Sequence, residues 1–293
     1  MRSEDFAADH RTATIGTLRM HWVERGDPNG TPVLLLHGFP ENWWSWRHQI
    51  DALSRAGFRV IAPDQRGYGQ TDRHGPYDVA TLLADLRGLL AHLGVRRAHV
   101  VGHDWGGNVA WFLAGRHPEL VERLTVINCP HPKPFRRALL GGSLRQMRRS
   151  WYMFMFQLPK LPEAYLRRDA GRTIDRVFWS MAVDKSAFPR EEIEPFRQQI
   201  LEPGAAEAMV GWYRAALQGR APQLPDVVAP SLLIWGMEDK ALGFHDVVPG
   251  TERFVRDLSI VPVERAGHFV QTEAKDRVNA LLLAWLTRGE VLR

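Results

Sequence analysis

Residues 98–107 read AHVVGHDWGG. A short apolar run ends in Gly102, and Gly102-His103-Asp104-Trp105-Gly106 has the spacing of a Gly-x-Ser-x-Gly nucleophile elbow. That elbow is a tight turn from a strand into a helix, and it holds its central side chain clear of the backbone. Here the central residue is Asp104. Such a turn needs a strand before it and a helix after it, and the chain repeats that alternation. Strand patterns at 18–24, 32–38, 59–64, 98–103 and 123–128 alternate with helical patterns at 44–57, 79–94 and 106–118. Gly57 and Gly94 stand where C-terminal helix caps are expected. The alternation predicts a mainly parallel sheet covered by helices on both faces.

The pattern breaks at His131-Pro132. From 132 to 222 the chain is helical in character, and strand patterns resume at 229–236 and 258–264 before a last amphipathic helix, DRVNALLLAWL. The organisation expected is an α/β core over 1–131 and 223–293 with a helical lid at 132–222 inserted over the carboxyl ends of the strands. A chain of 293 residues with 45% hydrophobic content can bury an adequate core without staples. Cys129 is the only cysteine, so no intrachain disulfide can form, and within LTVINCP it reads as a small buried residue.

Several function classes fall away on composition. The first residues lack the apolar segment of a secretory signal, and no stretch reaches the roughly 18–20 apolar residues of a membrane span, so a cytoplasmic chain with no membrane partner is expected. The net charge of +5 comes without any nucleic-acid-binding signature, so no nucleic-acid partner is expected. The arginines between 136 and 176 read as a solvated helical face, with attraction of an anionic substrate as the alternative. His99 and His103 are four apart at a strand end rather than on a helix face, and no metal site is expected.

Three segments at strand ends carry the chemistry, in the order nucleophile, acid, histidine: Asp104, Asp239 in IWGMEDKAL, and His268 in ERAGHFVQTE. A fourth, His37-Gly38-Phe39-Pro40 after an early strand, offers the Phe39 amide as one oxyanion donor, with the Trp105 amide as the other. A carboxylate attacking a carbonyl gives an anhydride, a poor resting point. Attack on saturated carbon gives an alkyl ester, which water can hydrolyse at the enzyme's own carboxyl carbon. An aspartate at the elbow therefore points to an epoxide oxygen or a halide as leaving group, with His268, oriented by Asp239, activating the water.

The stretches HGFPENWWSWRHQI, APDQRGYGQTD and VVGHDWGGNVAWFLAGRHPELV resemble the α/β-hydrolase-fold epoxide hydrolases and the related haloalkane dehalogenases. The resemblance covers almost the whole chain and is densest between 32 and 128. It implies an α/β-hydrolase fold, a mostly parallel central sheet flanked by helices with an inserted all-helical lid, working without a cofactor. It favours Asp239 over the neighbouring Glu238. It also implies that Tyr152 in WYMFMFQ and Tyr213 in GWYRAAL are paired lid tyrosines that donate to an epoxide oxygen, whereas Tyr165 has no such match. Trp105 is shared by both families. A dehalogenase often has an asparagine where this chain has Phe39, and would need Trp151 or Trp179 as a second halide donor.

The expected activity is conversion of an apolar or aromatic epoxide to a vicinal diol, by a monomer or homodimer. His37, Pro40, His103, Trp151, Phe156, Trp179 and Phe269 are expected around the substrate, with Pro40 a candidate for a cis bond. The alternatives are a haloalkane dehalogenase with the same ester chemistry and a non-catalytic binding protein on this fold. The sign expected of the latter is a broken triad, and this sequence has none.

Overall fold

The computed structural model describes residues 3–219 and 223–292. Eight strands form one sheet: β1 (His10–Ile15), β2 (Leu18–Gly26), β3 (Pro32–Leu36), β4 (Arg59–Pro63), β5 (Ala98–His103), β6 (Val121–Ile127), β7 (Ser231–Gly236) and β8 (Leu258–Val263). Their spatial order is β1-β2-β4-β3-β5-β6-β7-β8. β2 runs antiparallel to both β1 and β4, and every other pairing is parallel. The seven strands expected from the sequence are all present. β1 was not expected, because HRTATI faces mostly outward and has no apolar run to mark it. By contrast β5 and β7 are buried along their full length, as strands covered on both faces must be.

Helices α1 (Arg47–Arg55), α2 (Val79–His92) and α3 (Trp105–Arg116) alternate with the central strands. Asp78 starts α2 by accepting the Thr81 N–H at 3.1 Å. Gly57 and Gly94 follow α1 and α2 with φ of 88° and 68°, as helix-ending glycines do. Between β6 and β7 the described residues form seven α-helices: α4 (Pro132–Arg137), α5 (Leu144–Arg149), α6 (Trp151–Met155), α7 (Leu161–Arg167), α8 (Arg172–Met181), α9 (Arg190–Leu201) and α10 (Ala205–Gln218). No strand occurs among the described residues of this stretch. The expected boundary at 222 falls in 220–222, outside the described residues. Short helices α11 (Phe244–Val247) and α12 (Val270–Glu273) precede the closing α13 (Lys275–Arg288).

The helical segment shares its apolar core with the sheet. Phe178 on α8 stacks on Phe269 with ring centroids 4.3 Å apart. Polar ties run beside that packing: the Trp212 indole donates to the Arg66 carbonyl at 3.0 Å, and the Gln199 amide to the Glu41 carbonyl at 3.0 Å. Each fully buried Phe adds about 1.5–3 kcal/mol of transfer free energy, so the two parts pack as one body.

The strand order also locates a crevice. From β3 the chain steps to β4 on one side, then returns to place β5 on the other side. The loops after β3 and β5 diverge there, at the carboxyl ends of the strands, where open α/β sheets bind ligands.

Candidate active site

Asp104 sits in that crevice, between β5 and α3, with φ 48° and ψ −120°. A non-glycine residue in so sparsely populated a region costs on the order of 1–3 kcal/mol, so its surroundings must impose it. They do so by close approach. A Cβ on Gly106 would lie 2.1 Å from the Leu36 carbonyl oxygen, and one on Gly38 would lie 2.4 Å from Asp104 Cβ. The turn and the loop after β3 therefore press together only because both positions are glycine.

The contact delivers a hydrogen bond: the Phe39 N–H donates to Asp104 Oδ1 at 2.9 Å. Trp105 opens α3, so its N–H belongs to the first helical turn, where amides have no intrahelical acceptor. The other oxygen, Asp104 Oδ2, faces His268 Nε2 at 3.6 Å. That is an ion-pair distance, too long for a hydrogen bond. On its far side His268 donates from Nδ1 to Asp239 Oδ2 at 2.7 Å. Asp239 Oδ1 accepts the N–H groups of Ala241 and Leu242 at 2.7 and 2.9 Å. Glu238, the competing carboxylate, is exposed.

Asn128 completes this arrangement and was not anticipated. Its side-chain amide donates to Asp239 Oδ2 at 2.8 Å, and its carbonyl accepts the Gly236 N–H at 2.8 Å. One residue thus ties the end of β6 to the end of β7 and aims the carboxylate. The one available signal was an asparagine directly after an apolar strand, since asparagine tolerates the φ of 41° found there.

Electrostatics follow from this packing. Burial alone would lower the affinity of His268 for its proton, but the carboxylates of Asp239 and Asp104 prevail and hold it well above the ordinary histidine range. Burial likewise opposes the charge on Asp104. The facing imidazole of His268, with His103 and the Phe39 N–H, nevertheless holds the carboxyl below its usual value. Asp239 is held low in the same way, against burial, by His268, Asn128 and the Leu242 N–H.

Two histidines expected around the substrate are instead buried in the protein core. His103 is fully buried, with Nδ1 2.7 Å from Glu41 Oε2 and Nε2 2.9 Å from the His268 carbonyl oxygen. His37 is also fully buried. Its Nδ1 donates to the Gly38 carbonyl at 3.0 Å, and its Nε2 accepts the Gln65 N–H at 3.0 Å. Both rings have committed both nitrogens to the protein, which leaves nothing for a ligand. Glu41 also accepts the Gly38 N–H at 2.9 Å and the Gln271 side-chain amide at 2.9 Å. This buried carboxylate braces the Phe39 loop against the histidine loop.

Above Asp104 the helical segment contributes an aromatic cluster. Tyr213, only 3% exposed, sets its ring edge-on to Trp105 at 5.0 Å, Phe39 at 5.3 Å and Phe156 at 4.8 Å. Tyr152 lies 6.0 Å from Tyr213 and 5.9 Å from Phe156 between centroids. Burial first, and then the Asp104 carboxylate, push both phenols above their ordinary range, so both keep their protons as hydrogen-bond donors. Five of the expected residues therefore converge over the carboxylate: Phe39, Trp105, Tyr152, Phe156 and Tyr213.

The remaining expectations fare differently. The Phe39-Pro40 peptide is cis, and the Pro40 carbonyl accepts the Gln199 side-chain amide at 3.3 Å. Phe269 is buried behind His268, edge-on at 5.0 Å, and packs toward α8 rather than the phenols. Trp179 donates its indole N–H to the Phe188 carbonyl at 2.9 Å, while Arg190 covers its ring at 5.8 Å. Trp151 is 61% exposed and does not line the site. It occupies the outward face of α6, one residue before the inward Tyr152. Among the described residues no group of three His, Cys, Asp or Glu side chains is placed to hold a metal ion.

Comparison with known proteins agrees with this fold. The profile of the alpha/beta hydrolase fold family matches residues 31–274. The AB hydrolase superfamily protein YfhM of Bacillus subtilis is 38% identical over 273 residues, 92% of this chain and 94% of that protein. Epoxide hydrolase 3 of Xenopus tropicalis is 36% identical over 286 residues, 92% of this chain and 75% of that protein. The crystal structure of an epoxide hydrolase from Bacillus megaterium with an inhibitor superimposes with a TM-score of 0.86 at 27% identity, covering 95% of this chain and 100% of that one.

Proposed function

The chain belongs to the epoxide hydrolases of the α/β-hydrolase fold family, and from that premise we propose that it opens an epoxide to a vicinal diol through a covalent ester on Asp104, beneath a lid formed by α4–α10. The observation that carries this reading is the split environment of the Asp104 carboxylate. Oδ1 is engaged by the Phe39 N–H, while Oδ2 accepts no hydrogen bond and faces His268.

In the first step Asp104 Oδ2 attacks a ring carbon. The breaking C–O bond passes its electron pair to the epoxide oxygen, which takes a proton from Tyr152 or Tyr213 while the other phenol donates a hydrogen bond. The phenol regains its proton from solvent. The product is an alkyl ester of Asp104 bearing a neighbouring hydroxyl. Esterification removes the negative charge facing His268. One of the two carboxylates that hold the imidazolium up is then gone, so its pKa falls and the proton leaves. Neutral His268 then accepts a proton from water, which attacks the ester at Asp104 Cγ. The Phe39 and Trp105 amides hold the developing oxyanion, a placement worth ~10²–10³-fold per donor. Collapse releases the diol and restores the Asp104 carboxylate with one oxygen from water. Water and epoxide are consumed, and no other reactant is needed.

The halide alternative loses support from the indoles. Trp179 has spent its N–H on Phe188, and Trp151 faces outward. The test is a single turnover in ¹⁸O-labelled water with styrene oxide and a panel of larger epoxides. With enzyme in excess, the diol should carry unlabelled oxygen and Asp104 should gain the label, as read by peptide mass. Label in the diol during the first turnover overturns the ester mechanism. Halide release from chloroalkanes with no diol from any epoxide overturns the substrate class.

A further inference from the structure

The helical segment divides into two electrostatically unlike halves. Residues 132–162 carry seven lysines and arginines and no aspartate or glutamate, whereas 163–219 carry eight basic and nine acidic residues. Within the first half Lys133 alone has an ion-pair partner among the described residues, Asp226 at 3.4 Å. Arg136, Arg145, Arg148 and Lys160 are exposed and unpaired there. The same region concentrates the exposed apolar surface. Of twelve large hydrophobic side chains exposed among the described residues, seven lie between 140 and 165, including Leu144 at 72%, Trp151 at 61% and Leu158 at 47%.

Spacing joins the two properties. α5 and α6 are separated only by Ser150, whose N–H bonds the Gln146 carbonyl at 2.9 Å and whose ψ of 12° turns the chain between the two helices. Leu144 and Arg148 in α5, and Trp151 and Met155 in α6, are each four apart and so share a face of their helix, and Leu158 follows α6. All five are exposed or half-exposed, while Gln146, Ser150, Met153 and Phe156 on the opposite face are buried. A helix pair with leucine and tryptophan outward and arginine alongside has the composition of an interfacial anchor rather than of a solvated face.

We propose that this face of α5 and α6 docks on an anionic phospholipid surface. Charge complementarity selects the occupant. A second copy apposing the same face would bring the exposed Arg145 and Arg148 against their own counterparts with no carboxylate in 132–162 to pair them, whereas an anionic headgroup layer neutralises them and accepts the apolar side chains below it. Arginine stems fit that geometry, lying along apolar surface with the guanidinium at headgroup level. The consequence for catalysis, which rests on the proposed epoxide reaction, is direct delivery. Tyr152 and Phe156 face inward from the same helix that turns Trp151 outward, so an apolar epoxide dissolved in the bilayer lies one helix thickness, about 10 Å, from the phenols.

The test is cosedimentation of the purified full chain with vesicles of phosphatidylcholine alone and with one-third phosphatidylglycerol. Binding to the anionic vesicles is expected at low salt and should fall steeply with added salt. Each cation reversed or removed should weaken it about fivefold, so Arg145→Glu with Arg148→Glu should lose at least ~25-fold while turnover of a water-soluble epoxide stays unchanged. Leu144→Glu with Phe154→Glu should abolish binding, with circular dichroism reporting the fold. Equal binding to neutral vesicles, or no binding to either, overturns the proposal. Sedimentation velocity showing a dimer that the same variants dissolve, without vesicle binding, assigns the face to a second copy and also overturns it. None of these readouts depends on the catalytic reaction, so failure of either proposal leaves the other standing.

Discussion

Two groups of side chains meet over Asp104, and they are held by different forces. Asp104, His268 and Asp239 are fixed by directional hydrogen bonds of 2.7 to 2.9 Å from strand ends and loop amides. Tyr152 and Tyr213 are aimed by ring packing, edge against face at 4.8 to 6.0 Å, from helices that lie between β6 and β7. A hydrogen-bonded carboxylate fails abruptly when a donor is removed, because a buried charge loses its partner. A ring held by edge contacts tolerates small shifts and can follow substrates of different shape. In the proposed mechanism the first group suits ester hydrolysis, whose geometry is the same for every substrate. The second suits ring opening, where the substrate varies.

The largest expected effect breaks the first group. Asp104→Asn should remove diol formation by at least about 10³-fold, and His268→Gln should stop turnover while leaving the first step intact. An epoxide incubated with the His268 variant should therefore leave a stable adduct on Asp104, seen by intact mass. An unmodified protein after that incubation would dissolve the proposed division of labour. Next come the phenols. Tyr152→Phe and Tyr213→Phe should each slow ester formation by roughly 10–10²-fold, with ester hydrolysis unchanged in stopped-flow single turnovers. An effect confined to hydrolysis would place the tyrosines with the wrong half of the chemistry.

Asn128→Ala sharpens the comparison further. It removes one donor from buried Asp239 and should cost about 1–3 kcal/mol of stability, measured by urea unfolding. Its kinetic cost should fall on ester hydrolysis with KM little changed. The smallest effect is in the pH profile. Asp104 is held below the ordinary carboxylate range, so ester formation should persist well into acid. In the proposed mechanism hydrolysis needs neutral His268, so it should fall first as the pH drops, and ester should accumulate at the acidic end. Quench-flow at a series of pH values reads both steps, and parallel profiles for the two would refute the loss of His268's proton on esterification.

What the sequence reveals divides along the same line. The elbow, the Phe39 loop and the segments around Asp239 and His268 are contiguous motifs at the ends of apolar runs, so local pattern exposes them. Asn128 is invisible at that level, because its role is made by contacts to residues 108 and 111 positions away. The error over Trp151 has a related cause. In WYMFMF every residue is apolar or aromatic, so nothing in the run says which side meets the sheet. Its outward face becomes evident only when the inward one is seen to be occupied. β1 escaped notice for the opposite reason, since an edge strand with mostly exposed side chains has no hydrophobic period to read.

The position of β7 and β8 bears on how the protein comes into being. The two strands form one edge of the sheet, follow the whole helical segment in the chain, and carry Asp239 and His268 just beyond their ends. During synthesis, which releases the chain from its N-terminus, Asp104 emerges 164 residues before the histidine it faces. In the proposed mechanism, a chain that stops short of β8 lacks the histidine that frees Asp104 from its ester. On that mechanism, turnover requires that the last edge of the sheet has been added.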